Sequence, residues 1–265
     1  SDGLTWSSTG SFPLTAGLIR IVYSNSTFIA LQGTPTTAYA TSTNGQTWTA
    51  RTLSWSVSVL SFASSGTTAI GTTSGTSYAI RSVDGGVTFN RVALPSNGSW
   101  YIAYGNGIWV AVKASSAAAA YSLDDGLTWT SSTLPTNVAW QGIANNGTGF
   151  AAVVTLSTVA AYTADGINWS QQVMPSGGWA LITANETTGE FGLTSGNDSA
   201  KIEIVTSSGP VATTIPVTAP GFQYDMMPTG ASDSNQWLML KNPYEGFYFN
   251  GTTVTKISDV DYPAS

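Results

Sequence analysis

The chain contains no cysteine and no histidine. Disulfides, Cys/His zinc sites and Ser-His-Asp triads are therefore excluded. So is the disulfide-stapled type of small secreted domain, although the compartment itself stays open. Charge is scarce as well. Only 8% of residues are Asp, Glu, Lys or Arg, against about 25% in an average soluble chain. Eight Lys and Arg in a chain of net charge −6 leave no electrostatic footprint for a phosphate backbone, so no nucleic acid partner is expected. The same shortage argues against anionic membranes. Mean hydropathy is +0.08, and no apolar run approaches the roughly 20 residues of a membrane helix. No membrane insertion is expected. The first residue is Ser and no secretory leader pattern precedes the body, which reads as a mature form.

Aromatic residues make up 11% of the 265, enough for a packed core rather than a disordered coil. A motif recurs along the chain: STNGQTW (Ser42 to Trp48), SVDGGVTF (Ser82 to Phe89), SLDDGLTW (Ser122 to Trp129) and TADGINW (Thr163 to Trp169). A partial copy, SDGLTW, opens the chain at Ser1, and two worn copies end at Ala212 and Val254. Successive anchors lie roughly 40 residues apart, the spacing of four-stranded propeller blades. Upstream of each copy stand three short β-rich runs parted by Gly, Asn, Asp and Ser, such as VLSFAS, TAIGTT and SYAIRSV. No stretch has helical periodicity. The expected fold is all-β: a single propeller domain over residues 1–265, with about six four-stranded antiparallel blades and seven as the alternative. The alanine run at Ala117 to Ala120 falls where a third strand begins and is read as close packing between sheets.

Ser82, Asp84, Gly86, Thr88 and Phe89, and likewise Ser122, Asp124, Gly126, Thr128 and Trp129, resemble the Asp-box or BNR repeat, Ser-x-Asp-x-Gly-x-Thr-Trp. Aligned on the aromatic residue, the other copies put Thr43 and Ala164 at the Asp position. The resemblance implies a sialidase-like propeller architecture, of the kind found in phage virion and bacterial surface proteins. It also implies a structural role for the motif, as the turn between a blade's third and fourth strands. There Ser and Asp bond the turn backbone and the aromatic residue packs beneath. A metal site at the adjacent Asp124 and Asp125 is set aside. Neighbours on a hairpin splay apart, and Ca²⁺ wants about six to eight convergent oxygens.

The sialidase chemistry of that family uses three arginines, a Tyr/Glu pair and an acidic Asp. This chain has Arg20, Arg51, Arg81 and Arg91 in all, and three of them flank motif copies. Other glycosidases need two facing carboxylates. Glu186 and Glu190 are read as one solvated hairpin turn. No phosphate-binding glycine loop, metal motif or nucleotide fingerprint is present, and no catalytic residue, metal or cofactor is expected.

A binding reading rests on aromatics at the start of the first strands: Trp55, Trp100, Trp140, Trp179 and Phe222, with Asp225 near the last. Rings flanked by Asn, Ser and Thr suit sugars, whose C–H faces stack while hydroxyls find amides. The competing reading makes the same tryptophans packing between sheets. Seven Asn-x-Ser/Thr sequons, at Asn25, Asn97, Asn146, Asn168, Asn185, Asn197 and Asn250, have meaning only on a glycosylating secretory route. Leu4 to Ser8 form a lone fourth-type strand, expected to pair with the C-terminal blade and close the ring. The function expected is a non-catalytic binding module on a virion or extracellular surface, recognising a glycan or a partner protein. A glycoside hydrolase of sialidase-like fold and a purely architectural virion part are the alternatives.

Overall fold

The computed structural model describes residues 12–14, 19–155, 157–174, 179–195, 200–205, 215–217, 224–228, 237–241, 245–249 and 254–257, and side-chain surroundings for 12–14, 20–155, 157–174 and 181–193. The Leu4 to Ser8 strand and Phe222 lie outside the described residues. Every regular element among those described is a strand.

The chain divides into two compact units, Thr9–Asn137 and Val138–Ser265. The first holds three four-stranded sheets. They are β1 (Ile19–Ser24), β2 (Thr27–Gln32), β3 (Thr36–Ser42) and β4 (Thr49–Val57); β5 (Val59–Ser64), β6 (Ala69–Thr73), β7 (Thr76–Ser82) and β8 (Asn90–Gly98); and β9 (Trp100–Gly105), β10 (Ile108–Lys113), β11 (Ala118–Ser122) and β12 (Thr130–Thr133). Each is a meander in which every strand pairs antiparallel with the next. Turn chemistry sets the pairing. Asn25 and Ser26 (φ 48° and 57°), and Asn106 and Gly107 (φ 53° and 79°), both take the left-handed conformation at the two-residue tips of their hairpins. A type I′ turn requires that conformation at both positions.

Period-2 strands bury one side chain in two unless both faces are covered, and here both are. The second strands are almost wholly buried: Ile29, Ala30 and Leu31 on β2, and Trp109 to Val112 on β10, are fully enclosed. First strands lie side by side, β1 against β5 and β5 against β9. Ile29, Leu31, Tyr39, Val59, Ile80 and Phe89 fill the space between the first and second sheets. Ile70, Trp100, Ile102, Trp109 and Ala120 fill the next. Ala119 and Ala120 are buried, so the alanine run is close packing on β11.

With so few charges, hydroxyls and amides tie the sheets. Thr72 Oγ1 donates to the Trp100 carbonyl at 2.5 Å, and Ser61 Oγ accepts the Ile102 N–H at 3.2 Å. Tyr39 donates its phenol to the Gly86 carbonyl at 2.8 Å. Asn25 Nδ2 donates to the carbonyls of Thr67 and Val83, each at 2.6 Å, so this sequon asparagine is a structural tie.

The second unit holds β13 (Trp140–Asn145), β14 (Phe150–Val154), β15 (Val159–Thr163) and β16 (Ser170–Val173); β17 (Trp179–Asn185), β18 (Glu190–Ser195), β19 (Ala200–Val205) and β20 (Ile215–Val217); and β21 (Tyr224–Pro228), β22 (Trp237–Lys241), β23 (Glu245–Phe249) and β24 (Val254–Ile257). Each of these sheets is again a four-stranded antiparallel meander. Val153, Met174, Ile182, Phe191 and Leu193 pack between the first two. Asn146, buried, donates Nδ2 to the Gly189 carbonyl at 2.7 Å. Glu190 departs from the expected solvated turn. It is the first residue of β18, 5% exposed, and accepts a hydrogen bond from Thr188 Oγ1 at 2.8 Å, while Glu186 is exposed.

Candidate functional site

The recurring motif forms the turn from third to fourth strand in four of the described sheets. Between β7 and β8, Ser82 Oγ donates to Asp84 Oδ1 at 2.8 Å and accepts the Gly86 N–H at 2.9 Å. Asp84 in turn accepts Thr88 N–H (2.9 Å to Oδ1) and Thr88 Oγ1 (2.6 Å to Oδ2). Gly86 holds φ 79°, which an L side chain resists. Phe89 is buried edge-on against Tyr39, 5.5 Å between centroids. The Ser122 to Trp129 turn repeats the pattern with Asp124, Gly126 and Thr128.

The two shorter copies correct the alignment made on the aromatic residue. Asn44, not Thr43, takes the carboxylate's place: its Oδ1 accepts Ser42 Oγ (3.1 Å), Gln46 N–H (2.9 Å) and Thr47 N–H (2.8 Å). Asp165, not Ala164, does the same for Thr163 Oγ1 (2.8 Å), Ile167 N–H (2.9 Å) and Asn168 N–H (2.8 Å). Each of these turns is one residue tighter between acid or amide and aromatic, so counting back from Trp overshoots by one.

Hydrogen bonds from Thr128, side chain and backbone, lower the Asp124 carboxyl to about 2. Asn168 holds Asp165 lower still. Burial pushes Asp84 up but is outweighed by the bonds from Thr88 and Ser82, and the net shift is downward. A depressed folded pKa stabilises above the unfolded value and is lost below it. Asp124→Ala should therefore cost about 1 kcal/mol at neutral pH, this turn being close to solvent. The gap between parent and variant should close as pH falls from about 4 towards 2. Melting midpoints of both proteins across that range check it, and a gap that stays constant refutes it. Asn44→Asp should stabilise by about 0.5 kcal/mol, since a carboxylate is a stronger acceptor for the same N–H donors. Urea midpoints decide, and a lowered midpoint would contradict the assignment.

Asp125, in the left-handed conformation at φ 60°, turns away from Asp124 and joins another sheet. Its carboxylate accepts Arg81 Nη2 at 2.9 Å, Trp109 Nε1 at 3.2 Å and Thr68 Oγ1, and its carbonyl accepts Arg81 Nε at 2.7 Å. Among the described residues no cluster of three His, Cys, Asp or Glu could hold a metal.

The aromatic positions separate. Trp100 and Trp140 are fully buried, so neither offers a stacking face; they are core. Trp100 donates Nε1 to the Ser96 carbonyl at 3.2 Å. Register shows why Trp55 is not their equivalent. Trp100, Trp140 and Trp179 each pair with the last residue of their second strand: Lys113, Val154 and Ser195. In the second sheet that place belongs to Val59, opposite Thr73. Trp55 lies on β4, in a stretch where pairing jumps from Ala38↔Thr52 to Thr36↔Val57. It is half-buried against the core, and the Arg91 guanidinium sits over its ring at 4.8 Å. Trp179 and Asp225 are placed by backbone, at the start of β17 and within β21 opposite Leu240.

The arginines are dispersed. Arg20 Nε donates to the Leu60 carbonyl at 3.4 Å, and Arg51 Nε to Thr41 Oγ1 at 2.8 Å. Arg81 pairs with Asp125, and Arg91 stacks on Trp55 and Tyr78. Sequence reasoning missed the roles of both Asp125 and Arg91, because Arg81 and Thr68 for the one, and Trp55 for the other, come from a neighbouring sheet.

Repeated four-stranded antiparallel meanders with first strands side by side define a β-propeller. No protein-family model matches the sequence, and no curated protein does. Solved structures do. YCF48 bound to a D1 peptide is 16% identical, with a TM-score of 0.69 over 92% of this chain and 82% of that one. Streptogramin B lyase is 13% identical, with a TM-score of 0.75 over 90% and 81%. The GH74 xyloglucanase from Xanthomonas campestris is 13% identical, with a TM-score of 0.67; the match covers 89% of this chain but 44% of that enzyme. At such identities the likeness is one of fold: this chain is an all-β propeller of four-stranded blades. Its neighbours include both enzymes and a peptide-bound protein.

Proposed function

We propose that this chain is a non-catalytic Asp-box propeller that binds a partner protein or a glycan on a virion or extracellular surface. The observation that carries the reading is the dispersal of the arginines. A sialidase-like site needs several guanidinium groups converging on one substrate carboxylate. Here the four arginines are held on four different partners: Leu60, Thr41, Asp125 and the Trp55/Tyr78 pair. Most of the described carboxylates are similarly committed, Glu190 to Thr188, while Glu186 stands exposed. Asp84, Asp124 and Asp165 serve as turn acceptors, and Asp125 serves Arg81. The motif turns follow the Asp-box scheme of side-chain acceptors for turn N–H groups, which supports a structural role. YCF48, a protein of similar fold solved bound to a D1 peptide, lends support to a peptide or protein ligand. The surface location rests on the resemblance of the Asp-box repeats to modules of phage virion and bacterial surface proteins, together with the cysteine-free, Ser/Thr/Gly-rich composition. Fold alone does not assign function.

The test is a glycan and peptide array probed with the isolated protein, followed by a hydrolysis assay on every glycan that binds. Binding without turnover supports the proposal. Turnover would make the chain a glycoside hydrolase, and silence on both arrays would leave an architectural part.

A further inference from the structure

Arg91 is placed unlike the other arginines. It stands on the outermost strand of the second sheet, β8, opposite Ile80 and diagonal to Tyr78. Its guanidinium carbon lies 4.3 Å from the centre of the Tyr78 ring and 4.8 Å from that of Trp55, which reaches over from β4. Both rings are half-buried and packed against the core between the two sheets, so they form a fixed seat. The residue is exposed, and among the described residues none accepts a hydrogen bond from it. Arg20, Arg51 and Arg81, by contrast, each spend Nε on an oxygen.

A guanidinium is a flat fork. Its π faces can rest on aromatic rings while its N–H donors point outward in its own plane. Fixing the faces and leaving the edge open cuts the entropy lost on binding. The partner that matches such an edge is a planar oxyanion with two oxygens, taken by parallel N–H···O bonds. We infer that the Arg91 edge, seated on Trp55 and Tyr78, is a docking point for a carboxylate side chain of a partner protein. An acidic sugar would gain less, because the ring faces that could stack on its C–H surface already carry the arginine. Trp, Tyr and Arg are also the residues most enriched at protein-binding hot spots. The inference rests on the non-catalytic binding reading and names the chemistry of one contact within it.

The four arginine Nε–H resonances of the ¹⁵N-labelled protein, assigned by single Arg→Lys variants, provide the readout. Sodium acetate is titrated against sodium chloride at constant ionic strength, followed by a blocked Gly-Glu-Gly-Glu-Gly peptide and by galacturonic acid. The Arg91 resonance should move saturably with acetate and at lower concentration with the peptide, while those of Arg20, Arg51 and Arg81 stay put. Arg91→Lys keeps the charge but loses the fork, and should weaken the peptide by about tenfold. Tyr78→Leu should weaken it too, with circular dichroism confirming that the fold is kept. Linear drift of all four resonances, or peptide binding unchanged in Arg91→Lys, overturns the inference. Tighter binding of galacturonic acid than of peptide overturns the assignment to a protein partner. A silent Arg91 would leave the non-catalytic reading untouched, and glycan turnover would end that reading without bearing on Arg91.

Discussion

Trp100→Ala should cost the protein about 3–5 kcal/mol, the range for truncating a fully buried aromatic residue. The ring has no solvent exposure and packs with Ile70, Ile102 and Trp109 between the second and third sheets. Its Nε1 donates to the Ser96 carbonyl at 3.2 Å, and that acceptor would lose its partner. The Trp100 carbonyl accepts Thr72 Oγ1 at 2.5 Å, so a backbone shifted by the cavity would loosen a second tie between the sheets. Trp100→Phe should recover most of the loss, keeping the packing and forfeiting only the indole bond. Urea unfolding at neutral pH is the measurement: the midpoint should fall sharply for the alanine variant with the slope little changed. A cost below about 1 kcal/mol would mean that the ring is not the core residue its burial implies.

That prediction reverses the role a sugar-platform reading gives to Trp100, and the reversal shows what the sequence carries. Runs such as IRIVYS, VLSFAS and WQGIAN are strands for local reasons: alternating branched and aromatic residues closed by Asn, Gly or Ser at the hairpin tips. Each becomes the first strand of its sheet. Burial is not local. The sequence Leu-Pro followed by Trp looks the same whether the ring meets water or a neighbouring sheet, and only the packing of β9 decides. Position within a repeat is also insecure where strand pairing slips. Trp55 sits four residues before Val59, and the spacing of aromatics alone cannot show that the stretch Leu53 to Ser56 leaves the β3 register. Among the turns, the eight-residue copies were legible from their spacing. The seven-residue copies were misaligned because the acceptor is fixed from the hydroxyl end, at Ser42 or Thr163, and not from the aromatic end. The roles of Arg91 and Asp125 had no local signature, since each depends on residues of a neighbouring sheet: Trp55 for Arg91, and Thr68 and Arg81, 57 and 44 residues away, for Asp125.

Asp125→Ala should be the most damaging loss of an acid on the motif turns, costing about 2–4 kcal/mol, well above the loss at Asp124. The neighbouring acids differ in what they hold. Asp124 bonds Ser122 and Thr128 within its own turn, where water can replace it. Asp125 reaches the second sheet and meets groups that water cannot reach easily. Trp109 is fully buried, Thr68 is 1% exposed and the Arg81 side chain is 13% exposed. Truncation would leave an indole N–H, a hydroxyl and a guanidinium in a place built for a carboxylate. Asp125 itself is 44% exposed, which screens the ion pair and keeps the figure below that of a fully buried bridge. The backbone isolates the electrostatic part. Asp125 holds φ 60°, while the corresponding place in the second sheet is Gly85 at φ 69°, where an added Cβ would stand 2.8 Å from Thr27 Oγ1. Asp125→Gly relieves the left-handed strain yet removes the same carboxylate, so it should be destabilising but less so than Asp125→Ala. A double-mutant cycle of Arg81→Ala with Asp125→Ala should return a coupling of about 1–3 kcal/mol that shrinks in high salt. If the two changes add independently, or if Asp124→Ala proves the costlier, then the acid in the middle of this turn is not what pins the second and third sheets together.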